Sequence, residues 1–262
     1  MSFDDLIVDR DGSVLWLILN RPDKGNALTP QLLEHLEMTL EMEKEKCRAV
    51  VLSGSEERFF SSGFDLDLLG QIVQSSKKEA LDDNSFERVL KAISDFPWPV
   101  IAMLNGNAFG GGLELAVSCD LRIAVEDIQC LMPPARLGIL YSVSGLKKFV
   151  DLIGVSRAKE LFFTAQPVSD GDACRIGLID HVVPREELRD FTRRKALAMT
   201  ENAPLALSGT KWILEALGRE PVLAPRQMER VNQMRLQCFG SEDFQEGQAA
   251  FKEKRKPEFK GK

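Results

Sequence analysis

The chain has 262 residues, enough to bury a large core in one α/β domain or two smaller ones, and its 44% hydrophobic and 28% charged content is ordinary for a globular enzyme. With 34 basic against 40 acidic residues the net charge is −6, which weighs against nucleic acid as the main partner, because that binding neutralises phosphates with Lys and Arg. Five cysteines without C-x-x-C spacing and only two histidines leave a disulfide framework, a zinc centre and a Ser-His-Asp triad poorly supplied. His35 reads as a solvated surface residue and His181 as structural. The amino terminus carries no basic-and-apolar signal and no run is long enough to span a bilayer, so the expected location is cytoplasmic, with no membrane partner.

Along the chain, Leu6 to Asn20 alternates as a hairpin turning at Gly12-Ser13, and Arg21 to Ala27 breaks the pattern as a loop. Thr29-Pro30 opens a helix running to about Lys46, with a capping hydroxyl and a proline in the first turn. Ala49 to Ser53 is the next strand, and Arg58-Phe-Phe-Ser-Ser-Gly63-Phe64 a glycine turn after it. Leu68 to Phe96 is polar and helical. Trp98 to Leu104 is a buried strand, Leu113 to Cys119 has helical spacing, and Leu121–Val125 and Ile128–Met132 are strands. Beyond Gly145 the pattern is largely helical, with segments at 146–152, 157–163, 170–176, 186–199, 204–217 and 222–239. The alternation of strand, helix and strand predicts a layered α/β front, and the remainder an all-helical back.

The stretch Asn105-Gly-Asn-Ala-Phe-Gly-Gly-Gly-Leu-Glu114 carries the functional signal. Gly110 to Gly112 occupy a strand-to-helix turn, where missing Cβ atoms permit positive φ and close approach of a ligand to the backbone. Free N–H groups at a helix start form a positive end that suits a phosphate or an oxygen gaining charge. Neither the G-x-G-x-x-G dinucleotide fingerprint nor a P-loop ending in G-K-[ST] is present, since Gly112 leads into Leu-Glu-Leu. A second glycine turn upstream, at Gly63-Phe64, raises another possibility: two amides that converge, the minimum for an oxyanion hole.

Together, F-S-S-G-F-D-L and N-G-N-A-F-G-G-G-L-E-L-A-x-x-C-D resemble the crotonase, or enoyl-CoA hydratase/isomerase, superfamily. The likeness runs from N-R-P-D-K-G-N-A-L to A-F-K-E-K-R-K-P-E-F, nearly the whole chain. It implies a spiral of ββα units over 1–200 followed by a C-terminal helical trimerisation region over 201–262. It also implies an acyl-CoA substrate with no separate cofactor, and assembly as a homo-trimer or dimer of trimers. The resemblance assigns the hole to the amides of Phe64 and Gly111, and proton transfer to Glu114. Substrate contacts fall on Lys24, Ala27, Ser62, Asp65, Leu66, Gly110 and Pro134, and the lysine matching Lys254 reaches the CoA phosphates of an adjacent subunit.

Two features separate the chain from the hydratases. Pro134 stands where they carry a second glutamate, and proline neither takes nor gives a proton. Tyr141, the single tyrosine, lies in P-x-x-L-G-x-x-Y-x-x-x-G, which with S-E-D-F-Q-E-G resembles the methylmalonyl-CoA decarboxylase subgroup. There a tyrosine orients the carboxylate that is lost, although that subgroup has histidine where this chain has Phe64. Tyr141 is equally explained as a half-buried side chain bonded to backbone, and Arg136 either pairs with a substrate carboxylate or faces solvent. A non-catalytic acyl-CoA-binding protein is the alternative from a different class.

Overall fold

The structure, a computed structural model, describes residues 3–65, 85–219 and 224–262. β1 (Leu6–Asp11) and β2 (Val14–Leu19) form an antiparallel hairpin in register Leu6↔Leu19 to Asp11↔Val14. α1 (Pro30–Glu43) starts where the sequence predicts, and the Thr29 hydroxyl accepts the Leu32 N–H at 3.1 Å.

Three successive units then each give one strand to each of two sheets: β3 (Ala49–Gly54) with β4 (Phe59–Ser61), β5 (Val100–Leu104) with β6 (Asn107–Phe109), and β7 (Leu121–Val125) with β8 (Gln129–Leu131). The larger sheet has the order β1-β2-β3-β5-β7-β10, parallel from β2 onward, and the smaller one β4-β6-β8-β9, where β9 is Val168–Ser169 and β10 is His181–Val183. Because each unit advances both sheets by one strand, the chain winds as a spiral of ββα units. α2 (Ser85–Asp95) follows the first unit's strands, and α3 (Gly111–Val117) the second's.

β3 and β5 are buried along their whole length, which is why Ala-Val-Val-Leu and Val-Ile-Ala-Met-Leu read as continuous apolar runs and not as alternating ones. Each fully buried Val, Ile or Leu in them contributes about 1.5–3 kcal/mol relative to exposure.

α4 (Val143–Thr164) merges the two predicted helices across a break at Gly154, whose φ of 75° lies in the left-handed region. α5 (Asp170–Arg175), α6 (Leu188–Thr200), α7 (Pro204–Arg219) and α8 (Pro225–Gly240) match the predicted helical back. α9 (Glu242–Glu253) extends it beyond the last predicted helical segment. Lys211 ties this back to the sheets: its buried ammonium donates to Ile93 O at 3.2 Å, Trp98 O at 3.0 Å and the Asp120 carboxylate at 2.7 Å. Among the described residues no helix is long and apolar enough to cross a membrane.

Three local expectations change. The predicted glycine turns are each preceded by a three-residue strand, β4 and β6, too short for periodicity to register. His35 is not solvated but half-buried, its Nδ1 2.6 Å from the Asp5 carboxylate and its ring stacked on Phe3. Leu66, and the part of the polar stretch up to residue 84, lie outside the described residues.

Candidate active site

The two glycine turns meet. Gly63 and Gly110 both have positive φ, 94° and 51°, which a side chain would strain. A Cβ added to Gly63 would stand 3.2 Å from Gly111 N and 2.8 Å from Phe109 O, so the backbones run in contact. Beside Phe64, Leu28 N–H donates to Gly63 O at 2.8 Å and Asp65 N–H to Leu28 O at 3.1 Å. In that parallel bridge the carbonyl of the Gly63–Phe64 peptide accepts from Leu28, so the trans N–H of the same peptide, that of Phe64, points away from Leu28. Gly111 N–H opens α3 with no carbonyl four residues before it inside the helix. Among the described residues, neither the Phe64 nor the Gly111 amide donates a hydrogen bond within the protein. The Phe64 ring covers Gly111, where a Cβ would lie 2.9 Å from it, and meets Phe86 edge-on with centroids 4.7 Å apart.

Glu114, one turn into α3, is 2% exposed. Tyr141 O–H donates to its Oε2, whereas Oε1 accepts no hydrogen bond among the described residues. Burial raises the Glu114 pKa to about 7; the Tyr141 hydrogen bond and the Lys148 charge oppose the shift and Glu87 adds to it. Burial and the neighbouring carboxylate push the Tyr141 hydroxyl well above the usual phenol range, so it remains a donor. Gly145, near the start of α4, leaves room for this pair: a Cβ there would sit 2.8 Å from both Glu114 Oε1 and the Tyr141 ring.

The loop from Arg21 to Leu28 lies alongside the first glycine turn. Ser62 N–H donates to Gly25 O at 2.9 Å, Ser61 Oγ to Asn26 O at 2.9 Å, and Arg21 bridges the Ala27 carbonyl and the Asp65 carboxylate. Lys24, Ala27, Ser62 and Asp65 are thus gathered around the turn, with Lys24 exposed and Ala27 buried. Pro134 is buried on a 3₁₀ turn, and Arg136 beside it is exposed without an ion-pair partner among the described residues. Lys254 belongs to another part of the fold, exposed just past α9, where the tail returns to the Asp243 carboxylate through Lys260 N–H and Gly261 N–H.

The sequence matches the enoyl-CoA hydratase/isomerase family profile over residues 9–262. The chain belongs to the enoyl-CoA hydratase/isomerase family. It is 34% identical to the methylmalonyl-CoA decarboxylase of Escherichia coli strain K12 over 263 aligned positions, covering 100% of both chains. Among solved structures, an enoyl-CoA hydratase from Bacillus anthracis superposes with a TM-score of 0.86 at 32% identity, over 98% of this chain and 100% of that one. A methylmalonyl-CoA decarboxylase in complex with 2-nitronate-propionyl-CoA gives 0.79 at 33% identity, over 100% of both chains. The protein is therefore an acyl-CoA enzyme of this family, with the crotonase fold.

Four residues of this site escaped sequence reasoning: Phe86 against the Phe64 ring, and Glu87, Ser118 and Lys148 around Glu114. The only signal for Lys148 was its spacing with Gly145 and Phe149 along one face of α4, which is indistinguishable from ordinary core packing.

Proposed function

We propose that the enzyme decarboxylates a small acyl-CoA that carries a carboxylate on its α-carbon, of the methylmalonyl-CoA type. The observation that carries this reading is the buried carboxylate of Glu114, with one oxygen held by Tyr141 and the other without a hydrogen bond among the described residues, and with Pro134 at the family's position for a second acid. Addition of water ordinarily uses two such groups, whereas loss of carbon dioxide followed by one protonation needs a single donor.

In this scheme the thioester oxygen sits between the Phe64 and Gly111 amides. The bond from the α-carbon to the carboxylate breaks, carbon dioxide leaves, and the electron pair becomes an enolate whose charge the two N–H groups stabilise. Removing one donor from such a hole typically costs about 10²–10³ in rate. Protonated Glu114 then gives its proton to the α-carbon and regains one from solvent. A carboxyl with a pKa of about 7 is substantially protonated at neutral pH, which both supplies the proton and avoids repelling the substrate's carboxylate.

Double-bond migration or hydration with Glu114 alone is the second reading, favoured by Phe64 at the position where the decarboxylase subgroup carries histidine. Incubation with methylmalonyl-CoA and with crotonyl-CoA separates the two. Release of carbon dioxide and propionyl-CoA without hydration of crotonyl-CoA is expected; turnover of crotonyl-CoA alone overturns the proposal.

The same reading places the enzyme in the cytoplasm as a trimer or dimer of trimers, with Lys24 and a neighbour's Lys254 on the CoA phosphates. Leu214 on α7 and Leu236 and Phe239 on α8, which are 64%, 71% and 56% exposed, support such packing. A monomer in sedimentation equilibrium rejects it.

A further inference from the structure

Lys148 lies on the inner face of α4, one turn beyond Gly145. Its Nζ donates to Ser118 Oγ at 2.8 Å, and Ser118 Oγ donates to Glu114 O at 2.9 Å. Tyr141, Gly145 and Lys148 therefore face Glu114 and Ser118 in matching register, four and three residues apart on one side and four on the other. Among the described residues Lys148 forms no ion pair, so this largely buried ammonium is held by a hydroxyl and not by a contacting carboxylate. An apolar helix face needs no amine at this position.

We propose that Lys148 is a positioning residue which, anchored on Ser118, keeps the Glu114 carboxyl able to ionise inside the core and so give up its proton in each cycle. The charged and titratable groups around the pair come from every element packed there. Glu87 on α2 opposes ionisation of Glu114, and its carboxylate is bound by the hydroxyls of Ser142 at 3.1 Å and Ser144 at 2.9 Å. Tyr141 and Lys148 favour it. Lys148 is itself pushed down by burial and drawn back up by Glu114, Glu87, the Cys119 thiol and Glu215 on α7. Ammonium and carboxylate thus support one another's charge across the α3–α4 contact, while Ser118 fixes their separation.

The inference rests on Glu114 as the proton carrier, and the test keeps the two apart. Difference infrared spectroscopy follows the Glu114 carboxyl, identified as the band lost in Glu114→Gln, alongside the pH profile of turnover. Lys148→Met is expected to raise the infrared midpoint by roughly half a unit or more, and to carry the Glu114-governed limb of the rate profile with it. Lys148→Arg restores both. Ser118→Ala, which retains the ammonium but cuts its anchor, gives a smaller shift in the same direction and serves if Lys148→Met does not fold. An unmoved midpoint in folded Lys148→Met, or in Ser118→Ala if only that variant folds, overturns the inference. Full activity in Glu114→Gln overturns the catalytic assignment instead, and the infrared midpoint still judges Lys148.

Discussion

Two acidic side chains, one within the short helix α3 and one just past its end, meet opposite treatment. Asp120, just past its end, is half-buried and ion-paired: one oxygen takes the Lys211 ammonium at 2.7 Å and the Val100 N–H at 2.7 Å. Glu114, near its start, is almost fully buried, has a hydroxyl on one oxygen and no hydrogen bond on the other among the described residues, and its pKa rises to about 7. Asp120 is an ion pair that staples the helical back to the sheets. Glu114 is a carboxyl whose proton is left negotiable, and a group poised near neutrality is what proton transfer requires.

The contrast breaks first at turnover. Glu114→Gln should lower kcat by about 10²–10⁴, the span for loss of a general acid, in a coupled assay of carbon dioxide release. Loss below threefold would put Glu114 in the structural class with Asp120. Lys211→Met should do the reverse. It strands Asp120 and should cost about 2–3 kcal/mol in urea unfolding, below the range for a fully buried pair because Asp120 is partly solvated, with kcat held within a few-fold.

A third measurement sharpens the comparison through pH. The folded-state pKa of Glu114 lies above its unfolded value, so no penalty exists below about pH 4.5. Stability is lost as pH rises through the interval up to about 7, and the loss is constant above that. Its full size is on the order of 3 kcal/mol. Glu114→Gln should therefore be more stable than the parent at pH 8 and no more stable at pH 4.5; a gap independent of pH would show that the carboxyl is not strained by burial. The smallest effect is expected from Tyr141→Phe. Removing a donor that favours the carboxylate should raise the Glu114-governed limb of the pH profile and slow turnover by about tenfold, the lower end for a hydrogen bond to a charged group. A downward move of that limb would reverse the assigned role of the hydroxyl.

Much of this was readable from residue order. The caps at Thr29-Pro30 and the buried runs at Ala49 and Val100 placed their elements within a few residues, because local hydrogen bonding and apolar periodicity act over a handful of positions. Gly63 and Gly110 announced backbone that only glycine holds without strain, and Glu114 stood out as the carboxylate that follows three consecutive glycines. Strands β4 and β6 passed unnoticed, since three residues of an extended chain carry no period. The burial of His35 against Phe3 and Asp5 was equally invisible, because both partners are about thirty positions away.

Residue order by itself determined the spiral class, the family and the identity of the carboxylate, all of which follow from local patterning and from motifs that keep their spacing. Tertiary structure alone decided that the two glycine turns meet, with Gly63 against the Gly111 backbone, and that Tyr141 grips Glu114 across 27 positions. It also set Lys148 within one serine of the helix that holds Glu114. The reason is physical: proton affinity depends on dielectric surroundings and on charges a few ångström away, and those are supplied by elements that meet only when the sheets close.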